Sequence, residues 1–323
     1  MNNQNQNPIE ADPLAAMEAT GRLLAVIKND PALAGAKVSD ILRLVPGKRA
    51  IFGGTMGDSR PAIFRLLMTQ RERTDAAGEW AEMQRAKTYM LTGRYRINAP
   101  LALGQDGEVM ALGMVEGTPL LTHMWGLPND QRSPCFSEAA KWLVAYTAPT
   151  TEQRGIDRVR WGDMAEKAIA TQTHEPLQEI ETRILQKMKQ LGRKLHRQPW
   201  RIAVTHGDFH PNNLLIGADH LTAIDLGGPS KLPIYKDIAR FLVHCARRDM
   251  LPSGERLFGV DKGGFDAFAD AFDMDGVERH GFLPFMIAFE VLFRVEHPDF
   301  PSSRIRHALE MADSLFQDLR VVA

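Results

Sequence analysis

The run His206-Gly-Asp-Phe-His-Pro-Asn-Asn213, closed at a short interval by Asp225-Leu-Gly227, constrains this chain more than any other feature. Three apolar stretches surround it, each reading as a β-strand: Trp200–Thr205 ahead of it, Leu214–Ile216 and Leu221–Ile224 behind it. The result is a polar loop and a β-hairpin that present Asp208, Asn213 and Asp225 to one place. Phosphoryl transfer needs those three groups. One carboxylate accepts the proton of a hydroxyl, while an amide oxygen and a second carboxylate are hard ligands for Mg²⁺.

The Asp-x4-Asn spacing of Asp208 and Asn213 is that of the protein-kinase catalytic loop. The whole segment resembles the aminoglycoside phosphotransferase and choline kinase family of the protein kinase-like superfamily, whose loop reads H-G-D-x-H-x-x-N. That resemblance implies an α+β, two-lobed fold with a small antiparallel-sheet N-lobe and a mostly helical C-lobe. It also implies ATP- and Mg²⁺-dependent transfer to a hydroxyl of a small molecule, with the choice between ATP and GTP left open by the sequence. Carried over by position, Asp208 is the catalytic base and Asn213 and Asp225 are metal ligands. His206 holds the loop, and His210 and Asn212 shape it. Leu226 stands where protein kinases carry Phe. Asp237, in Asp237-Ile-Ala239, resembles the Asp of the family's D-[IL]-A helix. An Asp at a helix start often caps it, so capping is the role expected here, with support of the catalytic loop as a consequence.

A chain of 323 residues is long enough for two lobes, each with its own core. The formal net charge of −1 gives no global field for nucleic acid or an anionic membrane. Cys135 and Cys245 are far apart and carry no C-x-x-C spacing, which fits a reducing compartment. Met1–Asn7 lacks the basic and apolar regions of a signal peptide. The longest apolar run, Leu283–Phe293, is broken by Glu290 and reads as a buried helix instead of a membrane span. A cytoplasmic protein is expected, of open oligomeric state.

Residues 1–11 read as a disordered tail, 12–117 as the N-lobe and 118–323 as the C-lobe. Asp12-Pro13 opens a helix to Asn29 with an apolar face of Leu14, Met17, Leu24 and Ile27. Strands follow at Ile41–Val45, Arg49–Phe52 and Ala62–Leu67, then a helix over 75–91. Two more strands, 101–103 and 108–115, complete a five-stranded sheet. Met114–Gly117 resembles the family's hinge, so Val115 and Glu116 would offer backbone groups to adenine. The third strand, where the family carries a phosphate-binding Lys, has Arg65. This swap keeps the charge but changes shape and reach. Its carboxylate partner is expected on the following helix, with Glu82 favoured over Glu79. Lys48 and Arg49 close the first hairpin and could face phosphates in place of the missing glycines. Gly53-Gly54-x-x-Gly57 is better read as a bulge and turn than as a phosphate cradle.

For the acceptor, Asp261, Asp266, Asp270, Asp273, Asp275 and Glu278 could line a cleft for a polycation. Their placement around Phe265, Phe268 and Phe272 fits better the solvated face of an ordinary amphipathic helix. Trp125, Trp142, Trp161 and Phe289 are too scattered to assign to an aromatic cage. The substrate class stays open on sequence alone. A nucleotide-binding pseudokinase or regulatory scaffold is the alternative, motivated by Arg65 and the glycine-poor first hairpin.

Overall fold

The computed structural model describes residues 13–155 and 157–323, so the expected tail and the Asp12 cap lie outside the described residues. Two compact units emerge. One holds the chain up to Glu116 together with Thr222–Pro229; the other holds Gly117–Leu221 with Ser230–Ala323.

The first unit opens with α1 (Pro13–Asn29), then β1 (Lys37–Val45), β2 (Arg49–Thr55) and β3 (Pro61–Leu67). Next come α2 (Gln70–Met90), β4 (Tyr95–Ile97), β5 (Pro100–Leu103) and β6 (Val109–Gly113). Its five-stranded antiparallel sheet runs β1-β2-β3-β6-β5, which puts β3 at the centre. Alternation along β3 sends Ala62, Phe64 and Leu66 into a core shared with α1, and Arg65 to the opposite face. α1 corrects the expected apolar face. Ala19, Leu23 and Ile27, one helical turn apart, are buried, whereas Leu14, Met17 and Leu24 are exposed on the far side. The helix lies against the sheet through small residues, among them Ala15, Ala16 and Ala19, which a search for large apolar side chains overlooks.

α2 begins five residues before its expected start. Thr69 caps it by accepting from the Glu72 N–H at 3.2 Å, a T-x-x-E box legible in the sequence. Gly53 and Gly54 are strand residues of β2, and the irregular register lies opposite them on β1, between Val38 and Arg43. A Cβ on Gly54 would come within 2.0 Å of the Lys37 carbonyl oxygen, so these glycines admit a neighbouring strand.

The second unit continues with β7 (Thr118–Pro119), α3 (Leu120–Gly126), α4 (Ser133–Thr147), β8 (Glu152–Arg154), α5 (Arg158–Ile169) and α6 (Glu175–Lys194). β9 (Trp200–Val204), β10 (Leu214–Ile216) and β12 (Lys231–Pro233) follow, and β11 (Leu221–Ala223) begins the Thr222–Pro229 segment that belongs to the first unit. The chain ends with α7 (Ile234–Ala246), the short strands β13 (Arg256–Leu257) and β14 (Val260–Asp261), α8 (Lys262–Ala271), α9 (Leu283–Phe293) and α10 (Ser302–Val322). No helix of the described residues is long and apolar enough to cross a membrane. The core of this unit is aromatic, with Phe209 stacked on Trp142 at 5.6 Å and against Phe241 at 5.5 Å.

Charges are also buried here, and they are paired. Glu296 takes Arg247 and Arg304, each at 3.1 Å, and so joins α7 to α10. Glu181 of α6 is less well served. Burial pushes its carboxyl up to about 7, and Gln172 and Arg247 only partly offset that. A folded pKa above the unfolded one means stability that is full below the unfolded pKa and is lost as pH rises through 7. Glu181→Gln should therefore stabilise the protein more at alkaline pH, by about 2 kcal/mol more at pH 8 than at pH 5. Chemical denaturation at the two pH values measures this, and a pH-independent difference would contradict it.

Candidate active site

In the second unit the strand β9 delivers the chain into His206–Asn213. The loop is pinned at three points. Phe209 is fully buried in the aromatic core between α4, α7 and α8. The His206 ring packs edge-on against Trp142 and Phe209, at 6.0 and 5.7 Å. Asp237 supplies the third point and departs from its expected role. It sits inside the first turn of α7 and does not cap it. Its two carboxylate oxygens accept the backbone N–H groups of His206 at 2.6 Å and Gly207 at 3.1 Å. The loop bends sharply there, with Gly207 at φ 86°, so two amides turn inward and need an acceptor that the sheet does not provide.

Asp208 emerges from this anchored loop 38 % exposed in its side chain. Its Oδ1 accepts from Arg240 Nε at 2.8 Å and Arg294 Nη2 at 3.3 Å, and its Oδ2 lies 3.5 Å from His210 Nε2. Burial works against its ionisation, but His210 and the two guanidinium charges outweigh it and hold the carboxyl far below the usual carboxylate range. Both arginines turn back to Glu290, Arg294 Nε at 2.7 Å and Arg240 Nη1 at 3.5 Å, so that carboxylate of α9 sets their orientation. The residue that interrupts the apolar run is thus a fixed point of the site. His210 is buried and stacks on His244 at 4.6 Å.

Asn213 is buried, and its Nδ2 donates to the Asp208 carbonyl at 3.1 Å. A carbonyl only accepts, so the amide nitrogen must face it, which commits Oδ1 to the other side as an acceptor.

In the first unit Arg65 projects from the centre of the sheet toward α2. It pairs with Glu79 at 2.5 Å, and Asp225 Oδ1 lies 4.0 Å from the same nitrogen. Burial opposes charge on Arg65, but the Glu79 and Asp225 carboxylates more than compensate and raise its pKa. Glu82, the partner expected from the sequence, is instead held by Arg85 three residues along its own helix, at 2.5 Å. Glu79 and Glu82 are both among the buried residues of α2, with Ala76, Met83, Ala86 and Met90, so burial does not choose between them; Arg65 reaches Glu79 while Arg85 holds Glu82. Asp225 adopts φ 57°, a left-handed conformation that costs little for Asp, and its side chain is 58 % exposed. The following Gly228 lies against Gly78 of α2, which ties the Asp225 segment to the helix that carries Glu79. Arg49 leans on Glu72 at 3.6 Å, while Lys48 is exposed in the turn after Pro46-Gly47. Val115 and Glu116 follow the last sheet bond of β6, where the Met114 N–H reaches the Pro61 carbonyl at 3.1 Å.

Residues 57–269, more than half of the chain, match the sequence model of the phosphotransferase enzyme family, APH. The chain belongs to that family. It is a phosphotransferase enzyme with a mixed α+β fold. Solved structures share that fold at low identity. A macrolide 2'-phosphotransferase type I is 14 % identical with a TM-score of 0.59, over 94 % of this chain and 96 % of that one. An amicoumacin kinase in complex with AMP-PNP and Ca²⁺ is 11 % identical with a TM-score of 0.57, over 95 % and 96 %. A choline/ethanolamine kinase family protein from Mesorhizobium loti is 13 % identical with a TM-score of 0.55, over 94 % of each chain. No curated protein matches the chain in sequence.

Arg240 and Arg294 of this phosphotransferase were not singled out in the sequence. Arg240 lies one helical turn beyond Asp237, and Arg294 one turn beyond Glu290, so helical spacing from those two acids was the available signal. The loop's dependence on Asp237 is open to test. Asp237→Ala leaves two inward amides without an acceptor and should cost about 3 kcal/mol of stability. A change under about 0.5 kcal/mol in urea denaturation would mean the loop is held elsewhere.

Proposed function

We propose that this phosphotransferase moves the γ-phosphoryl group of ATP, with Mg²⁺, to a hydroxyl of a small molecule. One observation carries the reading: a carboxylate on a loop anchored three times over, kept ionised and aimed by two arginines. In that role Asp208 orients the acceptor hydroxyl and takes its proton as the oxygen bonds to phosphorus and the bond to the β-phosphate oxygen breaks, releasing ADP. A base with so low a pKa acts late and mainly by positioning, which suits a loose phosphoryl-transfer transition state.

Asn213 and Asp225 are the proposed metal ligands. Their joint assignment rests on their spacing in the sequence, and each fits on its own. Asn213 has its oxygen turned away from the loop, and Asp225 is an exposed carboxylate in a set conformation. Hard oxygen donors of this kind suit Mg²⁺, whose contribution when bound is to neutralise phosphate charge. Arg65, kept charged and aligned by Glu79, is proposed to bind the donor's phosphates in place of a lysine. Lys48 and Arg49 would add charge above them, and the Val115–Glu116 backbone would meet the base. His206 and Asp237 hold the loop, and His210 buttresses Asp208. A nucleotide-binding scaffold is the second reading; Arg65 and the two guanidiniums already on Asp208 speak for it.

Asp208→Ala should lower ADP formation with an accepted hydroxyl compound by about 10²–10⁴-fold while a thermal shift with Mg·ATP survives. Near-normal turnover in this variant would remove Asp208 from the mechanism. Asp225→Ala should abolish the Mg²⁺-dependent part of that shift, and an unchanged shift would refute its metal role.

A further inference from the structure

A cavity of about 590 Å³ opens in the second unit, and its lining is unlike that expected for a cationic substrate. Four cations stand around it, Arg154, Arg160, Lys231 and Lys236, against one carboxylate, Asp157. Asp157 is occupied in capping α5, where it accepts the Arg160 N–H at 3.2 Å. Lys231 is paired with Glu152 at 2.7 Å, whereas among the described residues no ion pair involves Arg154, Arg160 or Lys236. The wall is aromatic: Trp161 meets Phe289 edge-on at 4.6 Å, and Phe289 stacks on Phe293 at 5.1 Å. The cavity adjoins the loop that carries Asp208. Lys236 Nζ donates to the Gly207 carbonyl at 3.2 Å, and Phe293 immediately precedes Arg294, whose guanidinium touches Asp208.

The acidic residues that could have served a polycation are mostly engaged elsewhere, and none lines this cavity. Asp261 caps α8 through the Gly264 N–H, Asp266 pairs with Lys262, and Asp270 pairs with Arg279. Asp275 accepts the Glu278 N–H, and Glu278 itself takes Tyr235 and Arg201. Like charges around a concave, apolar-walled space focus a positive potential into it. That potential repels amino sugars and quaternary ammonium compounds and attracts organic anions.

From this lining we infer that the acceptor is an organic anion: a small molecule with a carboxylate for the cation rim, an apolar or aromatic body for the wall, and a free hydroxyl. The inference rests on the phosphotransfer reading only for what happens to the hydroxyl. There the acceptor oxygen gains the γ-phosphoryl group of a nucleoside triphosphate, its proton passes to Asp208, and the nucleoside diphosphate leaves.

The test separates binding from transfer. Kd values are measured by saturation-transfer NMR for a panel of hydroxylated aromatic carboxylates headed by tropate, each matched with an amine of the same skeleton such as phenylglycinol. The carboxylates should bind at least about tenfold tighter than the amines. The exposed-site double variant Arg154→Gln/Arg160→Gln should remove most of that preference while its Tm stays near wild type. Equal or tighter binding of the amines, or a preference untouched in the double variant, overturns the inference. Carboxylate binding without any ADP formation supports the cavity assignment and counts against the phosphotransfer reading instead.

Discussion

The geometry around Asp208 depends on one carboxylate that does no chemistry. Asp237, buried inside the first turn of α7, accepts two amides of the preceding loop, one on each carboxylate oxygen. Once His206 and Gly207 are fixed, Phe209 must point into the aromatic core and Asp208 must point out of it, because adjacent side chains diverge from a bent backbone. Asn213 then folds back onto the Asp208 carbonyl. The same helix that provides Asp237 provides Arg240 one turn later, so the anchor and one aiming group are rigidly linked through α7.

The charges around Asp208 form a closed set. Two carboxylates, Asp208 and Glu290, alternate with two guanidiniums, Arg240 and Arg294. Burying such charges is tolerable when they are paired, and here each lies within 3.5 Å of two opposite charges. The arrangement trades basicity for fixed orientation. That choice makes sense where the proton moves late and the barrier falls mostly through alignment and charge neutralisation. The first unit repeats the logic with fewer parts: Arg65 is set between Glu79 and Asp225, and both carboxylates favour its charged form.

Much of this was legible in the sequence, and the omissions have physical causes. The five strands of the first sheet and the helix between them followed from apolar period and turn residues, whereas α4 and α10 were not read from the sequence; the Asp-x4-Asn loop identified itself by spacing. The partner of Arg65 did not, because Glu79 and Glu82 lie less than one turn apart on α2. Both are buried, and what separates them is Arg85, at the right offset to capture Glu82 and leave Glu79 to Arg65. Asp237 read as a helix cap because a sequence shows an Asp near a helix start but not whether its oxygens face that helix or a distant loop. Arg240 and Arg294 were silent for the same reason: they come from helices far apart in the chain, and their convergence on Asp208 is a tertiary fact. α1 misled through Leu14, Met17 and Leu24, whose size suggested a core face that Ala19, Leu23 and Ile27 in fact supply, with Ala15 and Ala16 beside them.

Phosphorus-31 NMR of the wild-type protein with Mg·ATP and a mixture of hydroxylated small molecules tests the central claim most directly. The account predicts a new phosphomonoester resonance that grows in step with ADP. ATP that stays intact throughout, or that yields only inorganic phosphate, would contradict it.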